Sequence, residues 1–395
     1  MRAEWPCLAE GGAAGALCRD GHHRHGAQPG RTGPLPGRTC RAVEWSCSVG
    51  GAAGAGAVGD TGAARPGAPP GAAEDLTLFG LFRRQPAEKP KAGAGRVSVV
   101  VPLYNHAAYI GTAIESVLAQ GDVVREVIVI NDGSTDDSER VMQDLARRDA
   151  RIRFRTQANQ GAHATINAGI RDCGGEFVAI LNSDDAWLPG RLDTLVLLLD
   201  ARPDAAMAAS GIAFMNGSGA AIDNNWYQEA RAFHQAGADF GTTLVNANVL
   251  MTTSNFLIRR ASLPQVGEFA ALRYAHDLDF ALRLLALGQS IAMSDDIMLR
   301  YRLHGSNTIS EDHRKVRAEW ALCVAAYLTL LWDRPGAPEP DWDTAAATEA
   351  VLKRHDLTVA VGPCMAYLRR NGGGRLDTSP LLADASFRAR MLEWV

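Results

Sequence analysis

The chain lacks any long hydrophobic run: none of its apolar stretches approaches the roughly 18 residues of a membrane-spanning helix. It also lacks a charge excess. Forty Lys+Arg face 44 Asp+Glu, a formal charge of -4, so no basic surface invites nucleic acid. The start, MRAEWPCLAEGG, carries Glu4 and Glu10 and no apolar run, so no secretion signal is readable. Metal-finger spacing is missing too: Cys7, Cys18, Cys40 and Cys47 form no C-x2-C pair, and His22, His23 and His25 no H-x3-H pair. Cys173, Cys323 and Cys364 are scattered, as reduced core thiols would be. These absences leave a soluble intracellular protein as the expectation.

Glycine and proline are abundant but uneven. Nineteen of the 40 glycines and 9 of the 18 prolines fall within residues 1–95 of the 395. Stretches such as GGAAGAGAVGDTGAARPGAPPGAA have no hydrophobic period and cannot offset their ordering entropy, so residues 1–95 are expected to be disordered.

From Arg96 the texture changes. VSVVVP is a run of β-branched residues of the kind buried on both faces of a parallel sheet. YIGTAIESVLAQ then sets Ile110, Ile114, Val117 and Leu118 on one helical face. EVIVIN is a second buried strand, and DGSTDDSERVMQDLARRD reads as a turn and amphipathic helix capped by Thr135 or Asp136. RIRFRT, ATINAGIRDC, EFVAILN, GRLDTLVLLLDA and AAMAASGIAFM continue the strand–helix alternation. Such alternation predicts βαβ units, whose ligands bind at the carboxyl ends of the strands.

Three strand-end loops therefore matter. In Pro102-Leu103-Tyr104-Asn105-His106 the tyrosine offers a ring on which a nucleobase can stack, although the loop alone leaves a core tyrosine equally open. Asn131-Asp132-Gly133-Ser134 is a turn that caps a helix, or a place where Asp132 accepts a hydrogen bond from a base. Asn182-Ser183-Asp184-Asp185 carries the sharpest signal. Adjacent carboxylates repel, capping needs only one, and a hard divalent cation, Mg²⁺ or Mn²⁺, relieves the repulsion and bridges a diphosphate.

Two later segments add chemistry. Asp277 opens a helix in YAHDLDFALR, either as an N-cap or as a general base for an alcohol. RYRLHGSN, residues 300–307, supplies Arg302 and His304 to a phosphate or metal, or else is a solvated loop.

In this order, VSVVVPLYNHAAYIGTAIESVLAQ, VIVINDGSTDDS, NQGAHATINAGI, GEFVAILNSDDAWLPGRLD, HDLDFALRL and YRLHGSNT resemble an inverting family 2 glycosyltransferase of the GT-A fold. The resemblance implies an α/β, Rossmann-like nucleotide-diphospho-sugar transferase fold, with a mostly parallel central sheet and helices on both faces. It implies a domain over 96–310, split into a nucleotide-sugar half (96–215) and an acceptor and catalytic half (216–310), followed by a helical extension (311–395). Carried over residue by residue, Pro102, Tyr104 and Asn105 lie in the nucleoside loop, Asp132 contacts the base, and Asp184 sits near ribose and metal. Asp185 is then the main metal ligand, Asp277 the catalytic base, and Arg302 and His304 belong to the loop over the diphosphate, His304 as a metal ligand. The expected cofactor is Mn²⁺ or Mg²⁺. The expected donor is a nucleotide sugar, UDP-linked as is commonest in the family, and the acceptor a glycan or lipid-linked saccharide, as in polysaccharide or cell-envelope synthesis. The sequence departs from the family pattern at Asn131 and Asn182, which replace Asp, at His276, which replaces Glu, and at Ile166, which replaces Arg.

Competing readings fare worse. PLYNHAAYI has no glycine before Gly111 and no Lys or Arg, which counts against a nucleotidyltransferase loop and a dinucleotide fingerprint alike. A catalytically inactive scaffold of the same fold is the alternative, opposed by the presence of Asp132, Asp184, Asp185 and Asp277. Trp226, Tyr227, Phe233 and Phe240 are candidates for stacking on an acceptor sugar or for ordinary core. Residues 312–333 read as an amphipathic helix expected to pack on the catalytic domain, with dimer or membrane-surface roles as alternatives; segments 342–354 and 356–371 read as two further helices. The expected location is the cytoplasm, with possible peripheral attachment at the inner membrane face.

Overall fold

A computed structural model describes residues 92–305, 307–333, 342–371 and 384–395. The disorder expected for 1–95 falls, up to residue 91, outside the described residues, as do Cys7, Cys18, Cys40, Cys47 and the histidines beside them.

The first half builds as the alternation requires: β1 (Val97–Leu103), α1 (Ile110–Leu118), β2 (Val124–Asn131), α2 (Ser138–Ala146), β3 (Ile152–Thr156), α3 (Ala162–Arg171) and β4 (Phe177–Ile180). β1 pairs in parallel with both β2 and β4, and β2 in parallel with β3. Flanked on both edges and covered on both faces, β1 has Val97, Val99, Val100 and Val101 fully buried, which is why its sequence is continuously apolar rather than alternating. α3 lies close over this strand: a Cβ on Gly169 would come within 2.4 Å of Val100 Cγ1, so only glycine permits the approach.

Beyond β4 come β5 (Ala186–Trp187), α4 (Arg191–Ala201), β6 (Ala205–Asn216), β7 (Ala221–Ile222), α5 (Asn225–Gln235), α6 (Phe240–Asn246), β8 (Leu257–Arg259), α7 (Leu263–Val266), α8 (His276–Ala286) and β9 (Ser290–Leu303). The sheet order is β3-β2-β1-β4-β8-β6-β9-β5, with β7 on β6. It is parallel across its first four strands. It turns mixed where β8 runs antiparallel to β4 and β6, while β9 runs parallel to β6 and antiparallel to β5. α9 (His313–Asp333), α10 (Trp342–Arg354), α11 (Thr358–Asn371) and α12 (Ala385–Glu393) follow. α9 packs on α8 and α11, and Leu322, Val324, Ala325 and Leu328 are buried in the core shared with the sheet, as its apolar stripe predicts. Among the described residues no helix is long and apolar enough to cross a membrane.

Candidate active site

The loops after β1 and β2 are fastened to each other. Asn105 N–H donates to Ser134 Oγ at 2.9 Å, and Thr135 N–H donates back to Asn105 Oδ1 at 2.8 Å. Asn105 takes φ +52°, a left-handed conformation that asparagine tolerates through such local bonding. α2 begins one or two residues later than expected, yet Asp136 still accepts the Ser138 N–H at 3.0 Å, while its other oxygen accepts Ala107 N–H at 3.0 Å. Tyr104 stands 47% exposed at this rim, its ring accessible to a planar partner, and Pro102 sits half-buried at the end of β1.

Asp132 is buried and its oxygens are engaged. Oδ1 accepts Gln157 Nε2–H and Gln160 N–H, each at 2.9 Å, and Oδ2 accepts Gly161 N–H at 2.8 Å. Asp132 thus organises the loop that leads into α3.

The third loop separates the two adjacent aspartates. Asp185, 1% exposed, faces inward: Ser254 Oγ–H donates to Oδ2 at 2.6 Å and Arg302 N–H to Oδ1 at 2.9 Å. Burial first, then the Asp184 charge, pushes its carboxyl well above the ordinary range. Asp184 is less deeply buried, and its Oδ2 lies 3.0 Å from His304 Nε2. Asp185, the expected main metal ligand, thus has each oxygen accepting one donor from a distant segment. Asn182, in place of the family's first aspartate, donates through Nδ2 to Thr252 Oγ1 at 2.9 Å and accepts from Thr253 Oγ1 at 3.1 Å, using both ends of an amide.

His106, which the sequence marked only as a loop residue, joins this pair. Potential ligand atoms of His106, Asp184 and His304 all lie within 4.8 Å of one another. His106 Nδ1 is 2.8 Å from Ser183 Oγ, and burial lowers its pKa, keeping the lone pair that a ligand needs. Two imidazoles and a carboxylate fit a divalent transition ion better than Mg²⁺, which takes oxygen ligands; of the two expected ions that is Mn²⁺. Arg302 serves as a strut here. Its Nε–H donates to the Asp184 carbonyl at 2.8 Å and its Nη1 to the carbonyls of Asn216 and Gly217, both at 3.1 Å, and its guanidinium lies 4.6 Å over the Tyr109 ring. Beneath the loop, fully buried Arg191 donates to the Asn255 carbonyl and side chain at 2.8 and 2.9 Å and stacks on Trp187.

Asp277 lies in the first turn of α8, two residues past the N-cap Ala275, so it does not cap the helix. It is 6% exposed, and Asn248 Nδ2–H donates to its Oδ2 at 2.8 Å. Burial raises its pKa to about 6, against the opposing pull of the Leu278 N–H and Asn248. Tyr301 on β9 links the two acidic centres: burial, then Asp185, Asp184 and Asp277, push its phenol well up. Neither Tyr301 nor Asn248 was singled out from the sequence as a site residue; Tyr301 lies inside the YRLHGSNT stretch, whereas Asn248 comes from a segment with no motif of its own. Of the four aromatics considered for the acceptor, Tyr227 is core, its hydroxyl accepting Ile212 N–H at 3.2 Å, and Trp226, Phe233 and Phe240 pack against the core.

The model of the family described as glycosyl transferase family 2 matches residues 98–267. The chain carries a family 2 glycosyltransferase domain. Its fold is the α/β GT-A type that the motifs implied. Similar curated proteins include an uncharacterized glycosyltransferase of Nostoc sp., 29% identical over 54% of this chain and 66% of the relative. Another is the putative glycosyltransferase EpsH of Bacillus subtilis, 29% identical over 56% of this chain and 64% of the relative. Chondroitin synthase of Escherichia coli is 31% identical over 54% of this chain but only 29% of its own length. The match thus spans slightly less than two thirds of the first two relatives. Among solved structures, S. aureus TarS 1-349 in complex with UDP-GlcNAc superposes with a TM-score of 0.46 at 18% identity, covering 75% of this chain and 88% of that one.

Proposed function

We propose that this family 2 domain transfers a sugar from a nucleotide-diphosphate donor, UDP-linked in the first instance, to a hydroxyl of a glycan or lipid-linked saccharide, with inversion. The observation that carries the reading is the presence of a His106–Asp184–His304 cluster together with a buried carboxylate, Asp277, bonded by Asn248. The nucleoside would lie on the rim of Pro102, Tyr104 and Asn105, beside Asp132. A divalent cation, Mn²⁺ in preference to Mg²⁺, would be held by Asp184, His304 and His106, with Asp185 fixing the turn from behind; when bound it supplies Lewis-acid stabilisation to the departing diphosphate.

The sugar–phosphate bond breaks through an oxocarbenium-like transition state. Asp277 takes the proton of the attacking hydroxyl as the new glycosidic bond forms. With a pKa near 6 it is ionised at neutral pH yet more basic than a solvated carboxylate, as a general base should be. Arg302 holds the Asp184 turn rigid by its carbonyl contacts, so the cluster is placed before the donor arrives. Nucleotide-sugar pools put this reaction in the cytoplasm, at the inner membrane face where the acceptor is lipid-linked.

The test is a thermal-shift panel of UDP-, GDP- and dTDP-sugars with and without Mn²⁺, followed by transfer assays on Asp277→Asn. One nucleotide class should stabilise the protein only with metal, and the variant should bind that donor while losing transfer. No shift from any donor restores the inactive-scaffold reading, and full activity in the variant removes Asp277 as the base.

A further inference from the structure

The loop that delivers Asp277, Arg273-Tyr274-Ala275, is held from outside the sheet. On α9, Glu319 Oε1 accepts Arg273 N–H at 3.0 Å, and Oε2 accepts Tyr274 N–H at 2.7 Å and Ala275 N–H at 3.0 Å. One carboxylate thus takes three consecutive backbone amides at the mouth of α8. One turn along α9, Cys323 Sγ–H donates to the Ala275 carbonyl at 3.6 Å, and at the outer end Glu311 accepts the Arg273 Nε–H at 2.8 Å. Ala275, the N-cap of α8, has no side chain able to bond. A negative charge at a helix N-terminus is favourable in any case, but three amides on one carboxylate fix the loop's path as well as its potential.

We infer that Glu319 is a positioning residue for the base, so that the C-terminal helix α9 forms part of the working site. The inference rests on Asp277 being that base. Glu319 never touches substrate; it sets where the first turn of α8 begins and hence where the Asp277 carboxylate points. Its charge also raises the pKa of Asp277. The other groups around Asp277 are Cys323 on the same face of α9, Tyr301 from β9, Asn248 from the segment after α6, and on its own helix His276 and Asp279, the last paired with Arg283 at 2.8 Å. Among all these groups it is Glu319 that accepts hydrogen bonds from the loop's backbone N–H groups.

The experiment compares Glu319→Gln and Glu319→Asp in the full chain. A glutamine keeps one acceptor and turns an NH₂ toward the remaining amides; an aspartate keeps the charge but falls one methylene short. In both, kcat should fall about 10- to 100-fold, the range for a reacting group displaced by about 1 Å, while donor KM and the thermal shift with UDP and Mn²⁺ stay unchanged. The acidic limb of kcat should move to lower pH in Glu319→Gln and stay in place in Glu319→Asp. Amide exchange at 273–275 should quicken in both, a readout independent of turnover, and Glu319→Asp carries the test should the glutamine variant not fold. Wild-type kcat in a folded variant, or a parallel loss of UDP binding, overturns the inference. Asp277→Asn, run alongside, separates the two claims: if it stays active the base assignment fails, whereas an inactive Asp277→Asn beside a normal Glu319→Gln sinks only the role of α9.

Discussion

Substituting each member of the Asp184-Asp185 pair by asparagine separates their roles. Asp185 is nearly inaccessible and receives two donors, Ser254 Oγ–H at 2.6 Å and Arg302 N–H at 2.9 Å. An asparagine has one oxygen for two donors. With its NH₂ toward Arg302 it would leave a buried N–H unmatched, a cost of about 1–3 kcal/mol. With its NH₂ toward Ser254 the hydroxyl can rotate and accept instead, so the variant should settle there at the low end, about 1 kcal/mol. That corresponds to a Tm loss of roughly 2–4 °C at most for a domain of this size.

The sign of the pH dependence follows from the raised pKa of Asp185. An acid whose folded pKa lies above its unfolded value contributes stability that is present at low pH and lost as pH rises through the folded pKa. Asparagine does not titrate. The Tm gap between the wild-type protein and Asp185→Asn, measured without metal, should therefore be widest in acid and narrow as pH rises. Asp184→Asn behaves differently. It removes the only carboxylate of the His106–Asp184–His304 cluster, so Mn²⁺ affinity by titration calorimetry should weaken at least tenfold, about 1.4 kcal/mol, whereas Asp185→Asn should stay within about twofold on the same scale. Mn²⁺ binding lost in Asp185→Asn and kept in Asp184→Asn would falsify the assignment.

Two further outcomes follow from single contacts. Asn248→Ala removes the 2.8 Å donor that opposes the upward push on Asp277; the acidic limb of the kcat–pH profile should move above its wild-type position near pH 6, opposite to Glu319→Gln, and an unmoved limb would mean that Asn248 does not face the working carboxylate. Gly169→Ala drives a Cβ to 2.4 Å from Val100 Cγ1, overpacking that costs about 1–3 kcal/mol against at most about 1 kcal/mol of gained helix propensity; a denaturant midpoint equal to or above wild type would show that α3 can move off β1.

What the sequence revealed and what it hid divide along a physical line. β1, β2 and β4 were legible because burial on both faces demands uninterrupted β-branched runs, and the helices between them because one face of each must be apolar. That the loops at their carboxyl ends meet was legible because strand order in such sheets brings those ends to one edge. Which of two neighbouring carboxylates meets His304 and which is buried beneath was not legible. That choice is made by Ser254 and Arg302, donors 69 and 117 residues away in sequence that no local pattern connects to Asp185. The same holds for His106. It stands in a loop without metal-ligand spacing, and it meets Asp184 because β1 lies beside β4, and His304 because β5, directly after Asp184-Asp185, pairs with the end of β9.

Glu319 is the extreme case. In sequence it is one charge on an amphipathic helix, indistinguishable from the solvated Lys315 four residues before it. Its three acceptor bonds exist only because α9 lies along α8 at the height of the 273–275 loop. Motifs are readable where one short segment must perform a task alone, the role proposed for Asp277 and Asp184. Residues that aim those groups work through tertiary contact and leave no local pattern. A chain that keeps every family motif can therefore still lose its geometry through a substitution in the C-terminal helix, outside the span that the family model matches.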